Sequence, residues 1–112
     1  MPHELEGTTT WDKLHTREAR FRRFLLRKDG IAFEFEYDRS QYSGSFPKQP
    51  DGSFAGSFSA HGQGGLRAGR GTCHITETED GYSLDGSWFE REEGGSERAY
   101  PDWHADLYLV GA

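Results

Sequence analysis

Cysteine is nearly missing from this chain of 112 residues: Cys73 stands alone, so no internal disulfide can form. Long apolar runs are missing too. No stretch approaches membrane-spanning length, and hydrophobic residues make up only 33% of the chain. The opening Met1-Pro2-His3-Glu4-Leu5-Glu6 has neither the basic nor the apolar block of a signal peptide. These absences lead to the expectation of a cytoplasmic protein with no membrane association.

Catalytic and cofactor motifs are absent as well. The glycine-rich stretch from His61 to Gly71 invites comparison with a phosphate loop. It contains Arg67 and Arg70 but no lysine, so the Gly-Lys-Ser or Gly-Lys-Thr ending that reaches a phosphate cannot be formed. A dinucleotide fingerprint also fails, because Arg67 falls where the third glycine after Gly62 and Gly64 should stand. No cofactor is expected. The stretch reads instead as a long connection, with a lid over one end of the fold as the sharper alternative.

What the chain does have is rings, glycines and an uneven charge. Phe, Trp and Tyr account for 14% of residues, so the core must be largely aromatic, and 15 glycines argue for turns and against helix. The formal net charge is −6. Between Asp12 and Lys28, however, seven basic residues face two acidic ones, a net of +5, which leaves −11 on the remainder. So acidic a remainder argues against a nucleic-acid binder, whose footprint is a dominant basic face. The basic segment reads first as a strand paired across acidic neighbours, and second as a contact for an anion or acidic partner.

Period-two alternation recurs along the chain. Ile31, Phe33, Phe35 and Tyr37 alternate with Ala32, Glu34, Glu36 and Asp38. A hairpin turn at Asp29-Gly30 would set Leu26 opposite Phe33, Phe24 opposite Phe35 and Arg23 opposite Glu36. Further alternating stretches run Tyr42–Phe46, Phe54–Ala60, Thr72–Thr78, Tyr82–Trp88 and Trp103–Leu109. Turn-rich segments separate them: Pro47–Gly52, Glu79–Gly81 and an acidic turn over Glu92–Ser96. Glu4 to Trp11 reads as a first strand, whereas the spacing of Trp11, Leu14, Glu18 and Phe21 allows a short helix around residues 11–18.

Successive strands with short turns form an antiparallel meander of about eight strands. Closing it into a barrel, fully or nearly, removes two exposed edges. The expectation is therefore one all-β domain over residues 1–112. The inward positions would hold Phe24, Leu26, Phe33, Phe35, Tyr42, Phe46, Phe54, Phe58, Ile75, Leu84, Trp88, Trp103 and Leu107. With short strands and a glycine shortly before Trp88, this architecture resembles the small ligand-binding barrels of the avidin and lipocalin kind, without a family fingerprint.

Several residues can be weighed for chemistry. Asp102, His104 and Asp106 share one strand face, the start of a metal or general-base site, but that face lies opposite Trp103 and Leu107 and so outside; no metal is expected. Cys73 and His74, adjacent on a strand, point apart and cannot pair as thiolate and imidazole. The aromatic interior reads first as core and second as a pocket. The pocket reading selects Tyr37, Tyr42, Phe58, His61, Arg67, Tyr82, Trp88 and Trp103 as ligand-binding residues.

Three functions follow as expectations. The leading one is a barrel that binds a small, largely apolar or aromatic molecule. The second is a small barrel enzyme of cyclase or isomerase type, which requires an ionisable group inside; Glu34, His74, Asp85 and Tyr82 are its candidates. The third is an acidic partner domain, such as an inhibitor, immunity or assembly factor, which requires an open strand edge or a surface patch around Trp11, Phe21 and Phe89. The pattern is compatible with a homodimer, though no residue demands one.

Overall fold

The computed structural model describes residues 3–12, 17–62, 65–91 and 97–110. Eight strands follow one another: β1 (His3–Thr10), β2 (Glu18–Arg27), β3 (Gly30–Tyr37), β4 (Ser40–Pro47), β5 (Phe54–Gly62), β6 (Gly65–Glu77), β7 (Gly81–Arg91) and β8 (Glu97–Leu109). Each pairs antiparallel with the next, and β8 returns to β1 with Leu5 opposite Leu109 and Thr10 opposite His104. The meander is thus a closed barrel, and no described strand keeps an open edge.

The inward alternation of the sequence becomes the core. Phe24, Phe33, Phe35, Phe46, Leu84, Trp88, Trp103 and Leu107 are essentially sealed from solvent, while Leu26 and Ile75 are partly buried. An eight-stranded barrel is only wide enough to be filled by side chains, and here rings fill it by lying across glycines. Phe33 and Phe58 both stand opposite Gly44, Phe58 stands opposite Gly69, Trp88 opposite Gly71, and Trp103 opposite Gly86. A methyl group at Gly44 would run into the Phe33 ring, and one at Gly69 into the Phe58 ring and the Phe89 carbonyl.

This pairing corrects the reading of His61 to Gly71 as a connection or lid. Apart from residues 63 and 64, which lie outside the described residues, that stretch is strand, paired from Gly62–Gly65 through Phe58–Gly69 to Gly56–Gly71. Gly69 and Gly71 make room for the Phe58 and Phe46 rings. The Glu92–Ser96 turn also falls outside the described residues.

The β2–β3 hairpin is correct in its faces and two residues out in its register. The two-residue loop is Lys28-Asp29, with Arg27 opposite Gly30, Leu26 opposite Ile31, Phe24 opposite Phe33 and Arg23 opposite Glu34. Gly30 belongs to β3 because β4 comes close there: a side chain would meet the Phe46 carbonyl oxygen at 2.9 Å. A two-residue shift preserves which side chains face inward, so the core is unaffected. The left-handed turn lies instead at Asp38 (φ 49°) and Arg39 (φ 62°), between paired Tyr37 and Ser40.

No described residue is helical; the short helix read around residues 11–18 falls largely on residues 13–16, which lie outside the described residues, and Glu18 opens β2. β2 carries a bulge. Between Phe21 and Arg23 the pairing with β3 slips by one residue, so Phe21 and Phe24 both face inward while Arg22 and Arg23 both face solvent. Trp11 and Phe21, expected at the surface, are 4% and 5% exposed. Trp11 packs against Tyr37, Trp88 and Phe35 at ring separations of 4.7, 5.7 and 5.8 Å.

Replacing Gly44 with alanine should cost about 1–3 kcal/mol by overpacking against Phe33, read as a lower midpoint in urea unfolding. Ser45→Ala, an exposed neighbour on the same strand, should stay within about 0.5 kcal/mol of the parent protein. Equal midpoints for the two variants would show that the rings do not depend on the glycine.

A candidate ligand site at one end of the barrel

Ring packing is continuous through the barrel and converges on Trp88. Its indole stacks on Trp103 at 5.6 Å and 9°, and lies 4.8 Å from Phe58, 5.9 Å from Tyr42 and 5.7 Å from Tyr100. Beyond these rings, inward positions near the ends of β4, β6 and β7 turn polar and supply Ser40, Tyr42, Arg67 and Glu90. Ala60, fully buried between Tyr42 and Arg67 in the pairing order, is small enough to let the arginine cross to the tyrosine.

Arg67 holds the cluster together. Its Nη2 donates to Ser40 Oγ at 2.9 Å and makes a longer contact of 3.4 Å to Tyr42 Oη. Its Nη1 lies 3.3 Å from Glu90 Oε1, and its guanidinium sits over the Tyr42 ring at 5.8 Å. The Glu90 side chain is only 7% exposed, against 30% for Arg67. A carboxylate this deep needs its cation. Burial, with help from the Glu90 charge, pushes the Tyr42 phenol above its ordinary pKa against the opposing pull of Arg67, so it stays neutral and able to donate.

The cluster is not fully satisfied. Arg67 Nε, Trp88 Nε1 and Glu90 Oε1 are buried without a hydrogen-bond partner, the last despite its ion contact. The neighbouring indole shows the contrast. Trp103 Nε1 donates to Thr9 Oγ1 at 2.8 Å, and that hydroxyl donates to the His104 carbonyl at 2.9 Å. Two stacked tryptophans thus differ in that the protein completes one and leaves the other with a free N–H.

Of the residues expected to bind a ligand, Tyr42, Phe58, Arg67, Trp88 and Trp103 come together here. Tyr37 joins through its edge contact with Trp11. His61 does not: it is exposed on the outer face, opposite Gln41 and Leu66. Tyr82 lies near the opposite end, paired with Glu77 and Leu107. Glu90 and Ser40 were missed. Carrying the alternation of Leu84, Gly86 and Trp88 one step further would have found Glu90.

Other candidates resolve on the surface. Glu34, His74 and Asp85 face outward, and the carboxylate among the inward groups described is Glu90. Burial pushes the Cys73 thiol up to about 12, which leaves it without a usable thiolate. His104 lies outside with Nδ1 2.8 Å from Asp85 Oδ1 and Nε2 3.1 Å from Asp106 Oδ1. Carboxylates thus occupy both ring nitrogens, which makes an ion-paired histidine and not a ligand set. Among the described residues no group of three or more His, Cys, Asp or Glu is arranged to hold a metal, and no helix is long and apolar enough to cross a membrane. Comparison with known proteins finds no match to a family model, to a curated protein or to a solved structure.

Partial burial works to lower the His104 pKa, but hydrogen bonds and charge from Asp85 and Asp106 outweigh it and raise the net value. The resulting stabilisation is full below the ordinary pKa of 6.5 and fades as pH rises through the higher folded-state value. His104→Gln should therefore cost more stability below pH 6.5 than about two units above it. Unfolding midpoints that differ from the parent by the same amount at both pH values would refute the pairing.

Proposed function

We propose that this barrel binds a small, largely apolar or aromatic molecule at its Arg67–Glu90 end, against Trp88 and Tyr42. The observation that carries this reading is the set of three buried polar atoms without partners, Arg67 Nε, Trp88 Nε1 and Glu90 Oε1, at one end of an aromatic interior. Each unmade hydrogen bond costs roughly 1–3 kcal/mol, so a ligand offering acceptors to the two N–H groups and a donor to the carboxylate recovers that cost. The rings of Trp88, Tyr42, Phe58 and Tyr100 supply the apolar contact. Because rings occupy the middle of the barrel, the ligand is placed at the polar end and not in a central chamber.

The partner-domain reading loses its supports. The ring of strands leaves no edge among the described residues, Trp11 and Phe21 are buried, and Phe89 lies under the Arg70 guanidinium at 4.8 Å.

Native mass spectrometry of the purified protein, followed by mild denaturation, should release a small molecule whose chemistry matches this end. Arg67→Met and Glu90→Gln should each weaken retention by about tenfold, as expected for a lost charge-assisted hydrogen bond, whereas Tyr82→Phe should retain it fully. The indole N–H resonance of Trp88 should move on binding. A bound molecule that leaves that resonance still, or that both variants hold as tightly as the parent, would overturn the assignment.

A further inference from the structure

The opposite end of the barrel carries a second pocket of different character. Its volume is about 430 Å³, within the range of small-molecule sites. The partly buried side chains of Leu26, Ile75 and Tyr82, with buried Phe54, form an apolar floor. Arg27, Lys28 and Lys48 form the rim, all three exposed, and none makes an ion pair among the described residues. Glu77 is the one carboxylate of the lining. Asp51, close by in the β4–β5 connection, is already engaged, taking hydrogen bonds from the Ser53 N–H at 2.9 Å and the Ser53 hydroxyl at 2.6 Å.

The chain places these cations deliberately close. The two-residue turn Lys28-Asp29 puts one lysine at the tip of β2–β3. The Lys48 N–H donates to the Asp29 carbonyl at 2.8 Å, which tethers the second lysine beside that tip. In a protein of net charge −6, a pocket whose lining has three permanent cations and one carboxylate runs against the average. Three cations without an ion pair outnumber the nearby carboxylates of Glu77 and Asp29 around an apolar floor, a local excess of positive charge that attracts an anion.

We propose that this pocket is a second binding site, for a small amphiphilic anion: a ring or short chain bearing a carboxylate, sulfonate or phosphate. The apolar body rests on Leu26, Phe54, Ile75 and Tyr82, and the anionic group meets Arg27, Lys28 and Lys48. The site is independent of the Arg67–Glu90 end. Arg67 and Ile75 are eight residues apart on β6, roughly 26 Å at ~3.3 Å per residue, and they share no lining residue.

The test uses the full chain and two probes of nearly the same shape, anionic 8-anilinonaphthalene-1-sulfonate and neutral N-phenyl-1-naphthylamine. The sulfonate should shift the amide resonances of Leu26 to Lys28, Lys48, Phe54, Ile75 and Tyr82. Added salt should weaken it and leave the neutral probe unchanged. Reversing both lysines, Lys28→Glu with Lys48→Glu, should reduce sulfonate affinity by about tenfold or more and alter the neutral probe less than about twofold. Glu77→Gln should tighten the sulfonate, an outcome that damage to the fold cannot mimic. Sulfonate binding that is unaffected by the lysine reversal, or resonance shifts centred on Trp88 or on the outer face of β3–β5, would overturn the proposal. Sulfonate binding that ignores the lysine reversal leaves the Arg67–Glu90 reading untouched, whereas shifts centred on Trp88 would place the probe at that end and support that reading instead.

Discussion

Ring against glycine is the contact on which the rest of this barrel depends. Eight strands enclose little space, yet the chain directs three tryptophans and most of its phenylalanines inward. They fit because neighbouring strands give up side chains: Phe33 covers Gly44, Phe58 covers Gly69, and Phe46 covers Gly71. Large and small positions alternate around the barrel wall, and the rings interleave at separations near 5–6 Å. The same pairing holds the strands in register, since a one-residue slip would turn every ring outward and set side chains against one another inside.

Filling the middle with rings also decides where polar chemistry can occur. With rings packed through the middle, polar side chains gather at the ends, and the two ends are built differently. At one, a buried carboxylate is held by an arginine that also reaches Ser40 and Tyr42, beside an indole N–H with no acceptor. At the other, unpaired cations surround an apolar floor. The first end suits a ligand with both donors and acceptors, and the second suits an anion.

The outer surface follows a different rule. The excess of basic residues on β2 is not cancelled by its neighbours: Arg23 stands opposite Glu34, yet the two make no ion pair within 4 Å, and the bulge at Arg22 and Arg23 turns both side chains into solvent. Exposed pairs contribute little to stability. The surface ion pair with the closest geometry, His104 between Asp85 and Asp106, sits instead on β7 and β8.

Period-two alternation by itself determined that the chain is a meander of about eight strands and which way most of its rings face, Trp11 and Phe21 excepted, because strand periodicity is a local property of backbone geometry. It placed Phe24, Phe33, Phe58, Trp88 and Trp103 in the core without any knowledge of their partners. It does not tell a glycine that frees a turn from one that admits a close neighbour: Gly30 lies against the Phe46 carbonyl, and Gly69 and Gly71 lie under the Phe58 and Phe46 rings. Nor does it reveal the bulge at Arg22 and Arg23, which puts Phe21 and Phe24, three residues apart, on the same inward face. Most of the candidate site was out of reach for the same reason. Arg67, Tyr42 and Glu90 come from three strands, and only closure of the barrel puts a guanidinium, a phenol and a carboxylate within contact of one another. Periodicity assigns a face to each residue, whereas register, bulges and closure assign its neighbours, and chemistry depends on neighbours.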